Sequence, residues 1–340
     1  MKWQNGYRMR IVLIGVVAAV VLGGGNAKAD FTFGEPTNLG TTVNSSADEG
    51  SLSVSASCLE SYFASYNKPG GHGHYDIWVT KRKTIDEDWG SPVNLGPTIN
   101  SPSREIAPEI SSDGLTLYFH SDRPGGYGDR DIWMTRRASM SDHWREPENL
   151  GPIVNSPYDE AHPSISSDGL SLYFNSDGRP GGYGEADLWV ATRLTTEDPW
   201  SPPVHLGPMV NSSHSEFNPE ISADGLALFF VSNRPGGFGG QDLWVTIRAT
   251  ENDDWDTPLN LGPMVNNSSG DGGPALYEDG FTLYFNSDRT GGMGGKDIWQ
   301  APIIPIVDIN GDGIVDSADM CIMVDHWGTD EPLCDIGPMP

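Results

Sequence analysis

Two groups of acidic residues in this sequence have spacings that could support chemistry. The first is the run DINGDGIVDSAD, residues 308–319, which contains four carboxylates within 12 positions. Oxygen ligands at positions one, three, five, seven, nine and twelve of such a loop, with glycine at position six, coordinate Ca²⁺. The sequence therefore predicts a calcium site, against the alternative of a solvated acidic turn. Its ligands would be Asp308, Asn310, Asp312, the carbonyl of Ile314, Asp316 through water, and Asp319.

The second group recurs once in each of five sequence repeats, just before the first predicted strand. In a ring of repeated sheets this position would lie near one mouth of a central channel. Carboxylates about 7 Å apart there would repel each other by roughly 2 kcal/mol per pair. Hydrogen bonds to a local turn, a bound cation or sugar hydroxyl, or a raised pKa would each relieve this repulsion. The candidate ligand-binding residues are Glu49, Glu105, Glu160, Glu216 and Asp271.

A catalytic pair is a further interpretation of the same acids. General acid and base catalysis needs two carboxylates in different environments, and near-identical repeats make their environments alike. The repeats differ most at Asp271, which has Gly-rich neighbours, and at His162 and His214, which lie near Glu160 and Glu216. Because no triad or metal-ligand spacing is recognisable among them, we assign no catalytic residue.

The acidic positions belong to a repeat that is clearest in SSDGLTLYFHSDRPGGYGDRDIW, residues 111–133. Its copies end at an Asp-Ile/Leu-Trp anchor, and the anchors are spaced 55, 56, 55 and 55 residues apart, the extra residue being Gly178. A period near 50 residues, built from short alternating strands and Gly/Pro turns, is typical of propeller blades. The sequence therefore predicts an all-β, five-bladed β-propeller. The anchors are Trp78, Trp133, Trp189, Trp244 and Trp299.

Each repeat divides into four predicted strands, but only four of the five repeats are followed by a fourth strand. The missing strand is found at the other end of the chain, where FGEPTNLGTTVN from Phe33 matches WGSPVNLGPTIN from Trp89. We therefore predict that this N-terminal strand completes the last blade and removes its open edge. In the second repeat the four strands are predicted at residues 107–111, 115–120, 131–136 and 144–150.

The regular and the variable residues of the repeat suggest different roles. We predict that each anchor Trp packs between blades, rather than stacking on a sugar, and that the Asp two positions before it caps the Gly-rich loop. The tip of that loop varies between copies in a way that core residues do not, so it is the better candidate for a binding face. The tip residues are Tyr127, Tyr183, Phe238 and Met293.

These residues give the repeat a resemblance to the WD-like Pro-Asp propeller repeat of the TolB type. The resemblance covers residues 33–300, and the first copy departs most from it, with Ser57 and Cys58 in place of Asp-Gly and Asn67 and Lys68 in place of Asp-Arg. It implies an envelope-associated or protein-binding propeller more often than an enzyme. The matching positions in the second copy are Pro108, Asp113, Gly114, Tyr118, Phe119, Gly125, Gly126 and Trp133.

The calcium loop is followed by apolar residues at helical spacing, and Gly328 would end this helix. The loop-helix arrangement is similar to a type I dockerin, the module that attaches secreted proteins to cohesin-bearing scaffolds. In that family positions ten and eleven of the loop help to select the cohesin, which implies a partner-binding role for Ser317 and Ala318. Since the sequence shows one such unit where dockerins carry two, we interpret it as a truncated, EF-hand-like module.

The N-terminal residues and the charge point to a secreted protein. Residues 1–29 contain a basic start, a 12-residue apolar run and Ala27-Lys28-Ala29, the pattern of a cleaved signal peptide rather than of a membrane span. Its removal leaves 16 basic against 47 acidic residues, a net charge of −31. Such a surface disfavours nucleic acid and anionic membranes, and it favours cations or a positively charged partner.

Three cysteines are too few for a disulfide framework. In an oxidising compartment we expect Cys321 and Cys334 to form a disulfide, which would contribute roughly 3 kcal/mol in the chain-entropy model. Cys58 lies where the other copies have the Gly of their Asp-Gly turn, so we expect a buried, unreactive thiol.

The sequence thus predicts a signal peptide (1–29), a propeller (30–304) and a dockerin-like calcium module (305–340). We expect a monomeric binding module, extracellular, periplasmic or on the surface of a bacterium. Its partner would be a glycan, a cohesin-like scaffold or another envelope protein, in association with polysaccharide breakdown. The alternative is an enzyme, a glycoside hydrolase or lyase that uses the acidic residues at the propeller mouth.

Overall fold

A computed structural model describes residues 31–277 and 280–305, and they form five antiparallel sheets. The predicted all-β, five-bladed propeller is confirmed. The strands are β1 (Phe31–Phe33), β2 (Thr37–Asn38), β3 (Asp48–Val54), β4 (Glu60–Tyr66), β5 (Tyr75–Lys81), β6 (Val93–Asn94), β7 (Glu105–Ile110), β8 (Thr116–Ser121), β9 (Asp131–Arg136), β10 (Glu148–Asn149), β11 (Asp159–Ile165), β12 (Ser171–Asp177), β13 (Ala186–Thr192), β14 (Val204–His205), β15 (Glu216–Ile221), β16 (Ala227–Ser232), β17 (Asp242–Ile247), β18 (Leu259–Asn260), β19 (Asp271–Leu276), β20 (Thr282–Ser287) and β21 (Asp297–Pro305).

The last blade is completed from the N-terminal side, as the sequence predicted. β1 and β2 both pair with β21, Phe33 opposite Ile303 and Asn38 opposite Trp299. Each of the other four blades is a consecutive four-stranded meander, β3–β6, β7–β10, β11–β14 and β15–β18. A ring closed in this way joins the two ends of the propeller by main-chain hydrogen bonds and covers the outer edge of β21 in the fifth blade.

The outer strands are much shorter than predicted. In the second blade residues 144–150 were expected to be a strand, but only Glu148 and Asn149 pair with β9. A proline precedes the two-residue strand in every blade, and proline has no N–H to donate to a sheet ladder. The five prolines are Pro36, Pro92, Pro147, Pro203 and Pro258. The one described helix, α1 (Gly207–Val210), follows the fourth of these short strands.

Every inner strand contains a bulge at its third or fourth residue. The register between the first and second strands shifts there in all five blades, for example between Ile106 and Glu109. The residue in the bulge has a positive φ, between 50° and 53°. These residues are Ser51, Ala107, His162, Asn218 and Gly273. Because bulges redirect the side chains that follow them, the bulge determines which residues of the inner strand face the central channel.

Aromatic and aliphatic side chains fill the spaces between neighbouring blades. Trp133 packs with Ile110, Leu117 and Phe119 of its own blade and with Tyr62 and other residues of the preceding blade. All five anchor Trp side chains are 6–7% exposed and belong to such clusters. The predicted inter-blade packing of the anchors is therefore confirmed.

The first repeat differs from the sequence alignment in one respect. Asn67 does not replace the Asp of the other copies but is an extra residue with φ of 50°, like Gly178 (φ 82°) in the third repeat. Lys68 then occupies the position of Arg123 in the second blade, because each forms an ion pair with the repeated acid of its blade, Glu49 or Glu105. Cys58 is buried with φ of 59°, which fits its place at a position where the other copies have Gly.

Several predictions concern residues outside the described ranges. They are the signal peptide at 1–29, the calcium loop with its six ligands, Ser317 and Ala318, and the disulfide between Cys321 and Cys334. The boundary of the predicted module at residue 305 is likewise untested. Within residues 31–277 and 280–305, no helix has the length and apolarity needed to cross a bilayer.

Candidate functional site

The five repeated acids lie inside the blades. Glu105 opens β7 instead of preceding the strand, and its side chain is fully buried. Its carboxylate accepts hydrogen bonds from the backbone N–H (2.8 Å) and hydroxyl (2.6 Å) of Ser101 and from the hydroxyl of Ser121 (3.0 Å). The guanidinium of Arg123 donates to the same carboxylate at 2.9 Å. Of the alternatives that the sequence left open, the hydrogen bonds to a local turn are therefore the one that the structure shows.

The same arrangement recurs in all five blades, with exposures of 0–1% for the acids. Each cation also lies 4.7–5.8 Å from the centres of a Phe and the anchor Trp rings, a favourable cation–π geometry. Local hydrogen bonds and a cation of the same blade thus relieve the expected repulsion. The ligand-binding role predicted for these acids remains untested. The pairs are Glu49–Lys68, Glu105–Arg123, Glu160–Arg179, Glu216–Arg234 and Asp271–Arg289.

The loop-tip candidates are exposed and rigidly held. Tyr127, Tyr183, Phe238 and Met293 are 43–53% exposed, and each donates its backbone N–H to the Asp that precedes the anchor Trp by two positions. The predicted loop cap is therefore confirmed. A Cβ at Gly128, next to Tyr127, would approach the carbonyl oxygen of Tyr158 of the next blade to 1.7 Å, so only glycine permits this contact. We call His72, Tyr127, Tyr183, Phe238 and Met293 the loop-tip set.

The channel contains two carboxylates that the sequence analysis missed. Glu109 in β7 and Glu220 in β15 occupy equivalent positions, after the bulge, in the second and fourth blades, and each retains partial exposure to the channel. Burial raises the pKa of Glu109 to about 7, and it also raises the pKa of Glu220 well above 4.5, with the charge of Glu109 adding to the effect. Two nearby carboxyls in a poorly solvated space cannot both ionise easily at neutral pH.

Both glutamates also have a structural partner across a blade seam. The carboxylate of Glu109 accepts a hydrogen bond from the backbone N–H of Ile165 in the third blade (3.2 Å). Glu220 accepts one from the N–H of Leu276 in the fifth blade (3.0 Å) and one from the hydroxyl of Ser164 (3.3 Å). The equivalent residues in the other blades are Ser53, Ser164 and Ala275. A sequence signal existed, because this position varies between Glu, Ser and Ala inside an otherwise regular strand.

Two histidines meet at the bulge of the third blade, where His162 is the bulge residue and His120 approaches it from β8. The Nδ1 of His120 accepts the backbone N–H of His162 at 3.2 Å, and the Nδ1 of His162 is 3.0 Å from the Oδ1 of Asn175. Burial lowers the pKa of His162 to about 4 and that of His120 well below 6.5, so both rings are neutral at neutral pH. In the part of the chain that the structure describes, no three or more His, Cys, Asp or Glu residues are grouped as metal ligands.

The free space around the two glutamates is small. A cavity of about 80 Å³ and another of about 30 Å³ share Glu220 as a lining residue, and Glu109 and His162 line the smaller one. Pockets that enclose organic ligands typically have about 300–1,000 Å³. Both volumes are well below that range, so the free space around the two glutamates suits water or a slender group better than a sugar ring.

Comparisons with known proteins relate this chain to others through its fold alone. The sequence matches no protein-family model, and no curated protein is similar to it. An α-L-arabinofuranosidase from Lactobacillus brevis superposes with a TM-score of 0.51 at 14% identity, over 75% of this chain and 90% of that one. An arabinanase from Bacillus subtilis has a TM-score of 0.50 at 12% identity, over 78% and 97%.

TolB from Acinetobacter baumannii superposes with a TM-score of 0.47 at 15% identity. The superposition covers 75% of this chain, which spans about half (54%) of the length of that TolB chain. The propeller architecture is thus shared with the arabinofuranosidase and the arabinanase.

The buried ion pairs predict a large difference between two arginines of the second blade. Replacing Arg123 by Met should lower the free energy of unfolding by about 3–5 kcal/mol, because it leaves the buried Glu105 without its cation. Arg104→Met is the matched control, since Arg104 pairs with Asp122 at the surface and its side chain is 49% exposed. It should cost about 1 kcal/mol or less. Equal losses in urea denaturation would contradict the structural role of the buried pair.

The channel pair predicts a pH-dependent stability. A carboxyl whose pKa is raised by folding stabilises the protein at low pH, and this stabilisation is lost as pH rises from about 4.5 through about 7. Glu109→Gln should therefore be more stable than the unchanged protein at pH 8, by roughly 1–3 kcal/mol at about 1.4 kcal/mol per pKa unit, and the difference should shrink at pH 4.5.

Urea denaturation at the two pH values measures this difference. Because His162 is present in both proteins, its own titration cancels from the comparison. The exposed Glu197→Gln serves as the charge-matched control and should show no such pH dependence. A Glu109→Gln variant that loses stability equally at both pH values would refute the interpretation.

Proposed function

We propose that this protein is a secreted propeller that binds a glycan through its loop-tip set. The observation that carries the proposal is the exposure of three aromatic rings at equivalent positions of consecutive blades, Tyr127, Tyr183 and Phe238. All five loops connect second and third strands, so their tips lie on one face of the ring. Aromatic side chains offer large, rigid and amphipathic contact surfaces, which suit the apolar faces of sugar rings.

The rigidity of the loops supports this proposal. The carboxylate of an Asp in each loop accepts the backbone N–H of the tip residue, and the glycine after the tip residue lies against the next blade. A binding surface that is ordered in advance loses less conformational entropy when a ligand binds. The fold shared with an arabinofuranosidase and an arabinanase makes arabinan a reasonable first glycan to test.

A glycoside hydrolase is the second candidate, and the pair of Glu109 and Glu220 favours it. Two carboxyls of unequal pKa are the groups that such an enzyme requires. The small free volume around them argues against it, since a sugar ring would have to enter a cavity of about 80 Å³. We therefore favour glycan binding over glycoside hydrolysis as the function.

Affinity electrophoresis in gels that contain arabinan tests the proposal. The triple variant Tyr127→Ala, Tyr183→Ala and Phe238→Ala should weaken retardation at least tenfold, about 1.4 kcal/mol, because it removes the aromatic contacts. Leu194→Ala is the control, since Leu194 is 89% exposed and follows β13 at the opposite end of its blade. No retardation of the unchanged protein on arabinan or on a wider glycan panel would overturn the proposal. Release of reducing ends that Glu220→Gln abolishes would favour the hydrolase.

We also propose that the C-terminal module binds calcium and links the propeller to a scaffold. This part rests on the sequence, on the four carboxylates of residues 308–319 and on the similarity to dockerins. Chelation of calcium from the full chain should accelerate proteolysis within residues 308–334 and leave the melting of the propeller unchanged. The double variant Asp308→Ala and Asp312→Ala should show the same proteolysis with calcium present. Cleavage that is insensitive to calcium in the unchanged protein would contradict a calcium site.

A further inference from the structure

The channel opens on the face opposite the loop-tip set through a ring of aliphatic side chains. One residue from each inner strand contributes, directly after the position of Glu109 and Glu220. The rim beyond the ring consists of small residues at the turns between first and second strands, including Ala56, Ser112 and Ser167. This mouth is therefore narrow and open to solvent, and its lining combines aliphatic and polar side chains. The ring is formed by Val54, Ile110, Ile165, Ile221 and Leu276.

A carboxylate lies at the inner end of this apolar ring. Glu220 lines both the mouth cavity and the smaller cavity behind it, where Glu109 also lies. Asn218, which lines the smaller cavity, has a buried Oδ1 for which the described residues supply no hydrogen-bond donor. The inner end of the mouth thus combines two acidic side chains with an unsatisfied acceptor, and it lacks a cation.

The dimensions and polarity match a short alkyl chain that ends in a cation. One buried water needs about 10–15 Å³, so the mouth cavity of about 80 Å³ has room for roughly five water-sized groups. A lysine side chain has five heavy atoms beyond Cα. Its methylenes could lie against the aliphatic ring, as lysine stems commonly lie against apolar surface, while the ammonium donates to oxygen acceptors. A planar guanidinium is wider, and the absence of a third grouped ligand among the described residues disfavours a metal ion.

We propose that this mouth, the channel socket, binds the lysine side chain of a protein partner, with Glu220 and Glu109 receiving its ammonium group. The surrounding charge supports such a partner. The chain carries a net charge of −27. A net negative charge concentrates cations near a protein and accelerates their association. The turns next to the socket carry the exposed acids Asp113, Asp168 and Asp224 and, bound to the carbonyls of the same turns, Arg137, Arg193 and Arg248.

The inference complements the proposed glycan binding but does not depend on it. The loop-tip set and the channel socket lie at opposite ends of the strands, so one protein could hold a glycan on one face and a basic protein segment on the other. Failure of glycan binding would leave the socket untouched, and failure of the socket would leave the loop tips untouched. The two proposals can therefore be tested separately in the same protein.

Isothermal titration of the full chain with n-butylammonium chloride, at pH 8 and constant ionic strength, tests the socket. We expect saturable binding of one equivalent, because this ion has the alkyl length and the charge of a lysine side chain. Glu220→Gln should weaken it at least tenfold by removing a carboxylate charge and keeping the acceptor of the Leu276 N–H.

Three controls separate the socket from general electrostatic attraction. Glu197→Gln removes one exposed charge from the same face and should change the affinity less than twofold. Butan-1-ol has the alkyl stem without the charge, and tetramethylammonium has the charge without the stem, so neither should bind comparably. Absence of saturable n-butylammonium binding, or equal weakening by Glu197→Gln and Glu220→Gln, would overturn the proposal. Thermal melting of each variant checks that a lost signal does not come from unfolding.

Discussion

The fold depends on one buried ion pair that is repeated in every blade. An acid at the start of the inner strand accepts hydrogen bonds from the preceding loop, from the second strand and from a Lys or Arg beyond that strand. In the second blade the cation is Arg123, which also donates to the carbonyl of Ile99 and stacks against Phe119 and Trp133. One charged pair thus ties together the loop, two strands and the aromatic core. Burial makes the pair costly to break on either side, because the remaining charge would have no partner.

The buried ion pairs have the same arrangement in every blade, so the blades can differ in the residues that line the channel. Each inner strand has the same bulge. The residue two positions after the bulge residue faces the next blade. Ser53, Glu109, Ser164 and Glu220 each accept a backbone N–H from the following blade, so the position has a structural task that any oxygen acceptor can perform. Glutamate at this position in two blades adds negative charge, which accepting the backbone N–H does not require. This extra negative charge and the neighbouring aliphatic ring are typical of a binding site rather than of a contact between blades.

Most of the architecture could be predicted from the sequence, and so could part of the site. The constant spacing of the anchor Trp residues determined the number of blades, and the match between residues near Phe33 and Trp89 determined how the ring closes. The exposed loop tips were identified because they vary. The local hydrogen bonds of the acids were among the predicted alternatives, but their cations were not predicted. Periodicity shows that Glu105 recurs but cannot show that its side chain turns into its own blade toward Arg123, which is close in space and 18 residues away in sequence.

The sequence by itself determined the repeat, the strand order and the identity of the loop tips, because these follow from local periodicity and turn residues. Only the tertiary structure decided which carboxylates meet. Glu109 and Glu220 are 111 residues apart, and they share a channel because ring closure and the inner-strand bulge direct both toward its axis. Their raised pKa values arise from burial, which no local pattern encodes. The five regular acids, more conspicuous in the sequence, are neutralised by partners that the fold supplies.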